Sequence, residues 1–139
     1  MPTRKANAEW RGNLREGNGK ISFSGFEGPY SVASRFEEGP GTNPEELIAA
    51  AHAGCFSMAL AAVLAGAGYN PKRISTTAKV TVEKTGDEFT ITKSHLQTEA
   101  EVDGIDEDTF KVHATSAKEG CPVSKALAGV DITMDVKLI

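Results

Sequence analysis

Apolar residues dominate one long segment of the chain, Leu47 to Ala65, and alternate with polar residues in most other segments. Asn43 can cap a helix before this segment, Pro44 suits the first helical position, and Glu46 lies three residues after the cap. Because the segment is apolar on every face, it predicts a buried central helix that ends near Gly66.

Alternating patterns on both sides of this helix predict strands, and two segments with helix-capping signals predict shorter helices. The predicted strands are 6–11, 20–26, Tyr30–Phe36, Arg73–Glu83, Phe89–Val102 and Asp131–Leu138, and the shorter helices are Asp106–Lys118 and Cys121–Leu127. The order βββ-α-ββ-αα-β indicates an α+β fold with antiparallel sheets. A length of 139 residues fits a single domain over residues 1–139.

A helix that is apolar all round needs more cover than one sheet supplies. The second layer has to come from the rest of the chain or from a second copy, and we expect an intertwined homodimer. The segment is also nearly long enough to span a membrane, but it is rich in alanine and His52, Gly54 and Ser57 interrupt it. We therefore expect a soluble protein with no membrane partner.

The net charge is −4, and the basic residues form no cluster larger than the pair Arg4 and Lys5. Nothing in this distribution favours nucleic acid or an anionic membrane as a partner. The N-terminal residues lack the apolar stretch of a secretory signal, and two cysteines are too few for a disulfide-stapled secreted protein. We therefore expect a cytoplasmic protein whose cysteines are redox-active or bind a metal.

The two cysteines have different local environments. Pro122 places Cys121 at the start of a helix, where free backbone N–H groups favour a thiolate. Cys55 lies in the middle of the apolar helix, where desolvation raises the pKa of a thiol unless a cation is near. Local chemistry alone therefore favours Cys121 as the nucleophile, and Cys55 can react only if the fold brings a positive group to it.

Three other side chains could take part in this chemistry. Arg35 is the candidate cation for Cys55, although a surface ion pair with a neighbouring glutamate is an alternative role. Glu45 in the first turn of the central helix could orient that arginine. His52 lies three residues before Cys55 on the same helix face, so it is either a buried, hydrogen-bonded residue or, with Cys121, part of a metal site.

The motifs around these residues resemble the OsmC branch of the OsmC/Ohr family of thiol-dependent hydroperoxide reductases. The resemblance rests on the run Thr42–Leu60, on Gly120–Ser124, on the segment Ser34–Glu37 and on the predicted element order. It covers nearly the whole chain.

The resemblance implies an OsmC-like fold and an intertwined homodimer with active sites at the interface. It implies that Cys55 is the peroxidatic cysteine, Cys121 the resolving cysteine, Arg35 the residue that holds Cys55 as a thiolate, and Glu45 the residue that holds Arg35. In the Ohr branch an earlier loop supplies the arginine, so Arg11 and Arg15 are alternatives to Arg35 in the predicted catalytic set Cys55, Cys121, Arg35 and Glu45.

The implied reaction is reduction of an organic hydroperoxide as part of a stress response, through a Cys55 sulfenic acid and a Cys55–Cys121 disulfide. An external dithiol, for example on a lipoylated protein, recycles that disulfide, and no cofactor or metal is required. Phe56, Met58 and Phe36 are predicted to form apolar walls that suit an alkyl group. The alternatives are a redox sensor that uses the same cysteine pair, or a Cys/His metal-binding protein, neither of which turns over repeatedly.

Overall fold

Six strands and four helices follow one another in the computed structural model, which describes all 139 residues. The strands are β1 (Asn7–Arg11), β2 (Asn18–Phe23), β3 (Phe26–Tyr30), β4 (Pro71–Thr85), β5 (Glu88–Val102) and β6 (Asp131–Leu138), and the helices are α1 (Val32–Phe36), α2 (Pro44–Gly66), α3 (Glu107–Gly120) and α4 (Pro122–Ala126). The chain divides into two compact units, Met1–Leu47 and Ile48–Ile139. That residues 1–139 form one domain stays a prediction.

The first unit contains an antiparallel sheet of β1, β2 and β3 in sequence order. Gly19 in β2 lies opposite Trp10 on one side and Tyr30 on the other. The two rings meet edge to face across it, with centroids 5.4 Å apart. A Cβ atom at Gly19 would collide with both rings, so this close approach requires glycine.

The predicted third strand, Tyr30–Phe36, is wrong beyond Tyr30, because Val32–Phe36 forms the short helix α1. Ser31 and Ser34 form a reciprocal capping box: each side chain accepts a hydrogen bond from the other's backbone N–H, at 3.1 and 2.8 Å. These bonds satisfy N–H groups that a helix start otherwise leaves free. Arg35 is therefore a helix residue, and the observed order is βββ-αα-ββ-αα-β.

The start and end of α2 confirm the predicted capping signals. The Asn43 side chain accepts a hydrogen bond from the backbone N–H of Glu46 at 2.8 Å, and Pro44 is the first helical residue. The helix ends at Gly66, and Gly68 follows with a positive φ of 92°. Only glycine adopts this left-handed conformation without strain, so the chain turns there into β4.

The second unit contains a sheet in the order β4-β5-β6. β4 and β5 form the predicted long antiparallel hairpin, with Gly86 in the turn at a φ of 65°. β6 pairs with β5 in parallel, so the prediction that all pairing is antiparallel is wrong for this strand. Parallel neighbours need a long crossover connection, and α3 with α4 forms that connection.

The core of the second unit lies between this sheet, α2 and α3. Besides Cys121, its fully buried members come from three elements: Phe56, Leu60 and Leu64 from α2, Leu96 and Ala100 from β5, and Phe110 and Ala114 from α3. The α2 residues recur every four positions and so form one stripe along the helix. Phe56 is fully buried in this core, so the prediction that it forms a wall of an open substrate pocket is wrong.

The opposite side of α2 is exposed. Small apolar residues and Met58, which is 76% exposed, recur along it at helical spacing. They are Ala51, Gly54, Met58, Ala62 and Ala65. By length and composition alone α2 could also cross a membrane, but core helices of soluble proteins pass the same test. A single chain thus buries one side of the predicted central helix and leaves the other apolar side uncovered.

Candidate active site

Cys55 and Cys121 lie side by side in the second unit although they are 66 residues apart in sequence. Their sulfur atoms are 2.8 Å apart, and both cysteines are free thiols. Cys121 is fully buried, whereas Cys55 is partly exposed on α2. A disulfide needs a sulfur separation of about 2.05 Å, so the pair could close with a shift of less than about 1 Å.

Cys121 occupies the junction between two helices. Its backbone N–H donates to Ala117 O at 2.9 Å and closes α3, while its carbonyl accepts from Lys125 N–H at 3.0 Å and opens α4. Pro122 is the first residue of α4, where its missing N–H costs no hydrogen bond. Hydrogen bonds on both sides therefore fix the backbone that carries this sulfur.

The two thiols have pKa values shifted in opposite directions. Burial is the largest cause that raises the pKa of Cys55, and its hydrogen bond with Cys121 raises it further. Burial also acts to raise the pKa of Cys121, but hydrogen bonding from Cys55 and from the N–H and O–H groups of Ser124 outweighs it, so the net shift is downward. Cys121 makes no regular side-chain capping bond, yet within this pair it is the better thiolate.

His52 is fully buried beside these cysteines. Its Nδ1 lies 2.7 Å from Ser94 Oγ on β5, and its Nε2 lies 2.8 Å from Ser124 Oγ on α4. Both ring nitrogens are thus satisfied by hydroxyl groups, and burial lowers the pKa of the imidazole. No sequence signal indicated these partners, because Ser94 is 42 residues away and occupies an ordinary position in the alternating pattern of β5.

The low pKa of His52 predicts that acid weakens the fold. As the pH falls below about 6.5, the unfolded chain takes up a proton at this position before the folded chain does. Above that pH this histidine should leave the free energy of unfolding unchanged. Below that pH the free energy of unfolding should decline, by at most about 1.4 kcal/mol per pH unit. Urea unfolding between pH 7.5 and 5 measures this slope.

His52→Gln should remove this contribution to the slope, and His113→Gln, at a partly exposed histidine on α3, is the matched control. An unchanged slope in His52→Gln, or an equal loss of slope in His113→Gln, would show that His52 is not the group responsible.

Arg35 and Glu45 form an ion pair within the first unit. Arg35 Nε and one of its terminal nitrogens, Nη2, both lie 2.9 Å from Glu45 Oε1, and Nε also lies 3.2 Å from Oε2. The Glu45 side chain is 8% exposed and that of Arg35 is 37% exposed, with its guanidinium 5.1 Å from the Phe36 ring centroid. The predicted role of Glu45 in holding Arg35 therefore has a geometric basis, while the contact of Arg35 with Cys55 stays a prediction.

The alternative arginines have less support from the structure. Arg11 pairs with Glu9 at 2.8 Å, and both side chains are more than 60% exposed. Arg15 is exposed in the segment between β1 and β2. Neither has the nearly buried carboxylate partner that orients Arg35.

The alternative metal site has no matching cluster in the structure. No group of three or more His, Cys, Asp or Glu side chains is arranged to hold a metal ion. Both ring nitrogens of His52 form hydrogen bonds with serine hydroxyls. The ring nitrogens of His95 form hydrogen bonds with Thr133 and Asp135 on β6.

Comparison with known proteins shows the family to which this chain belongs. The family model described as OsmC-like protein matches residues 37–135. The chain is 48% identical over 138 residues to peroxiredoxin OsmC of Escherichia coli (strain K12), an alignment that covers 97% of this chain and 96% of the relative. The chain belongs to the OsmC family. The resemblance predicted from its motifs is confirmed.

Solved structures of OsmC-family proteins confirm the fold. An organic hydroperoxide resistance protein OsmC from Legionella pneumophila is 25% identical, with a TM-score of 0.70 over 99% of both chains. The organic hydroperoxide resistance protein OhrB of Bacillus subtilis is 25% identical, with a TM-score of 0.71 over 96% of this chain and 98% of the other. The OsmC-like α+β fold class is thus confirmed, while the roles predicted for Cys55, Cys121, Arg35 and Glu45 stay predictions.

Proposed function

We propose that this OsmC-family protein is a thiol peroxidase that reduces organic hydroperoxides to alcohols. The observation that carries the proposal is the pair of free thiols 2.8 Å apart, in a chain 48% identical to a peroxiredoxin. A peroxidase of this kind needs one thiolate that attacks the peroxide and a second thiol close enough to close a disulfide. The partly exposed Cys55 takes the first role, and the buried Cys121 takes the second.

In the first step, the Cys55 thiolate attacks the terminal oxygen of ROOH. An S–O bond forms, the O–O bond breaks, and the alkoxide leaves with a proton as ROH, so that Cys55 becomes a sulfenic acid. Because burial raises the pKa of Cys55, this step needs a cation that favours the thiolate. Arg35 is the proposed cation, and Glu45 holds its guanidinium in a fixed orientation.

In the second step, the Cys121 thiolate attacks the sulfur of the Cys55 sulfenic acid. The S–S bond forms, the S–O bond breaks, and hydroxide leaves as water after taking up a proton. An external dithiol then reduces the disulfide by thiol–disulfide exchange and is itself oxidised to a disulfide. A lipoylated protein has the required dithiol chemistry, and no resident cofactor or metal takes part.

The relatives and the apolar surface of the chain support an organic hydroperoxide as the substrate. The Legionella and Bacillus proteins are described as organic hydroperoxide resistance proteins, and exposed Met58 and Phe36 remain candidates for walls that suit an alkyl group.

The exposed apolar side of α2 supports a homodimer, because a soluble chain rarely leaves such a surface uncovered. We place the protein in the cytoplasm, where free thiols persist.

The proposal predicts many turnovers per chain when cumene hydroperoxide is supplied together with a dithiol. Peroxide consumption should continue well beyond one equivalent per chain with dithiothreitol or dihydrolipoamide, and should stop near one equivalent when the dithiol is left out. Consumption should be measured over a series of chain concentrations against a protein-free control. Oxidation that stops at one equivalent with dithiol present would contradict the peroxidase and favour a redox sensor.

A further inference from the structure

The Asn43 side chain bonds the ends of two helices at once. Its Oδ1 accepts a hydrogen bond from the Glu46 backbone N–H at 2.8 Å and so caps the start of α2. Its Nδ2 donates to the Ser34 carbonyl oxygen on α1 at 2.9 Å. These partners settle the orientation of the amide, because a backbone N–H only donates and a carbonyl oxygen only accepts. Asp, Ser and Thr also cap helices well, so capping alone does not require an amide.

The bond to Ser34 satisfies a carbonyl group that α1 itself leaves free. The helix ends at Phe36, so Ser34 O is one of its last carbonyl groups, which have no partner within the helix. On the other side of the same peptide bond, the Arg35 N–H donates to Ser31 O at 3.1 Å. Asn43 therefore holds the second polar group of the peptide bond from which the Arg35 side chain begins.

The Arg35 side chain reaches from this fixed backbone to Glu45, which lies two residues after Asn43 in the first turn of α2. Nε and Nη2 both lie 2.9 Å from Oε1, and Nε lies 3.2 Å from Oε2. A two-pronged pair of this kind depends on where the two backbones lie, because both groups are planar and bond in fixed directions. One further bond joins the same segments, from Ser34 Oγ to Thr42 O at 2.7 Å.

We propose that Asn43 is a positioning residue for Arg35: by donating Nδ2–H to Ser34 O while it caps α2, it keeps the guanidinium aligned with the Glu45 carboxylate. Without the amide donor, Ser34 O would accept from water, and α1 could shift against the start of α2. The guanidinium would then leave the carboxylate more often. The inference rests on the proposed function in giving Arg35 the role of cation for Cys55.

The test follows the exchange of the Arg35 Nε–H proton with water by NMR, with the signal identified by its absence in Arg35→Ala. Asn43→Ser retains a neutral cap, but the serine hydroxyl ends one bond short of the position of Nδ2. The exchange rate should rise by about 3- to 10-fold, the factor that loss of one hydrogen bond produces. Asp106→Ser, which replaces one cap residue by another at the start of α3, is the matched control and should leave the rate unchanged.

The rate at which one equivalent of cumene hydroperoxide oxidises Cys55 is the second measurement. Asn43→Ser should slow this single event at pH 7 by a similar factor, and the rate should recover as the pH rises. The double variant Asn43→Ser with Arg35→Ala should be no slower than Arg35→Ala alone, because Asn43 acts through Arg35. Urea unfolding reports stability separately, and an Asn43 that served only as a cap would leave both rates unchanged in Asn43→Ser.

An Arg35 Nε–H that exchanges equally fast with and without Asn43→Ser overturns the proposal, as does an equal rise in Asp106→Ser. A double variant slower than Arg35→Ala alone overturns it too, as does a normal oxidation rate in Asn43→Ser beside a slow Arg35→Ala. If Asn43→Ser does not fold, Asn43→Thr is another neutral cap and replaces it under the same criteria. Normal oxidation of Cys55 in Arg35→Ala would overturn the cation role in the proposed function, and the exchange measurement would still decide whether Asn43 holds the ion pair.

Discussion

Cys55→Ser is expected to reduce hydroperoxide turnover to the uncatalysed background, whereas Cys121→Ser should retain one oxidation event per chain and then stop. Removal of an attacking nucleophile typically lowers turnover by about 10³-fold or more. In Cys121→Ser, the Cys55 sulfenic acid still forms, but the thiol that lies 2.8 Å away in the unmodified chain is missing. The sulfenic acid should then persist or oxidise further to sulfinic acid.

Rapid mixing with one equivalent of cumene hydroperoxide, followed by intact-mass analysis and a sulfenic-acid probe, distinguishes the two variants. The pKa of Cys121 is lowered and that of Cys55 is raised, so the pKa shifts alone would give the attacking role to the Cys121 thiolate. A sulfenic acid on Cys121 in Cys55→Ser, formed as fast as in the unmodified protein, would reverse the two assignments.

Arg35→Ala should slow the first oxidation of Cys55 by about 10- to 1000-fold at pH 7. A cation within a few ångströms of a thiol lowers its pKa by roughly one to three, so its loss reduces the thiolate fraction by a similar power of ten. Arg35→Lys should retain only part of the rate, because lysine keeps the charge but loses the two-pronged contact with Glu45. Stopped-flow measurement of a single oxidation event reports this step alone.

The pH dependence separates loss of charge from loss of structure. The pKa of Cys55 is already raised by burial, so without the guanidinium its thiolate should appear only at alkaline pH. The Arg35→Ala rate should therefore rise with pH and approach that of the unmodified protein. Arg11→Ala, at an exposed arginine paired with Glu9, is the matched control and should leave the rate unchanged. A slow Arg11→Ala beside a normal Arg35→Ala would transfer the role to Arg11.

Local signals in the sequence were sufficient to predict the structure where residues within one short segment determine it. Asn43 and Pro44 start α2 and Gly68 follows its end, because capping groups and a left-handed glycine act within a few residues. Hydrogen bonds within one short segment also explain why the strand predicted at α1 is wrong. The alternation from Tyr30 to Phe36 favoured a strand, but the spacing of Ser31 and Ser34 allowed a capping box, and those hydrogen bonds prevailed.

Contacts between distant segments could not be predicted from local patterns. The parallel pairing of β6 with β5 depends on the path of α3 and α4, which no alternation of side chains reveals. The family resemblance implied that Cys55 and Cys121 act together, but only the folded chain brings their sulfurs to 2.8 Å. The same holds for Ser94 and His52, which lie on separate elements and meet only once the core has formed.

The position of Cys121 at a helix junction affects which thiol would react first with a Cys55 sulfenic acid in a cell. Hydrogen bonds of α3 and α4 hold its backbone, so its sulfur meets Cys55 without a search through alternative conformations. Well-oriented intramolecular groups react as if present at about 10⁵ M or more, far above the concentration of any dissolved thiol. A soluble monothiol would therefore rarely capture the Cys55 sulfenic acid. In the proposed mechanism, the external dithiol would therefore meet the completed disulfide, and mixed disulfides would arise only during its reduction.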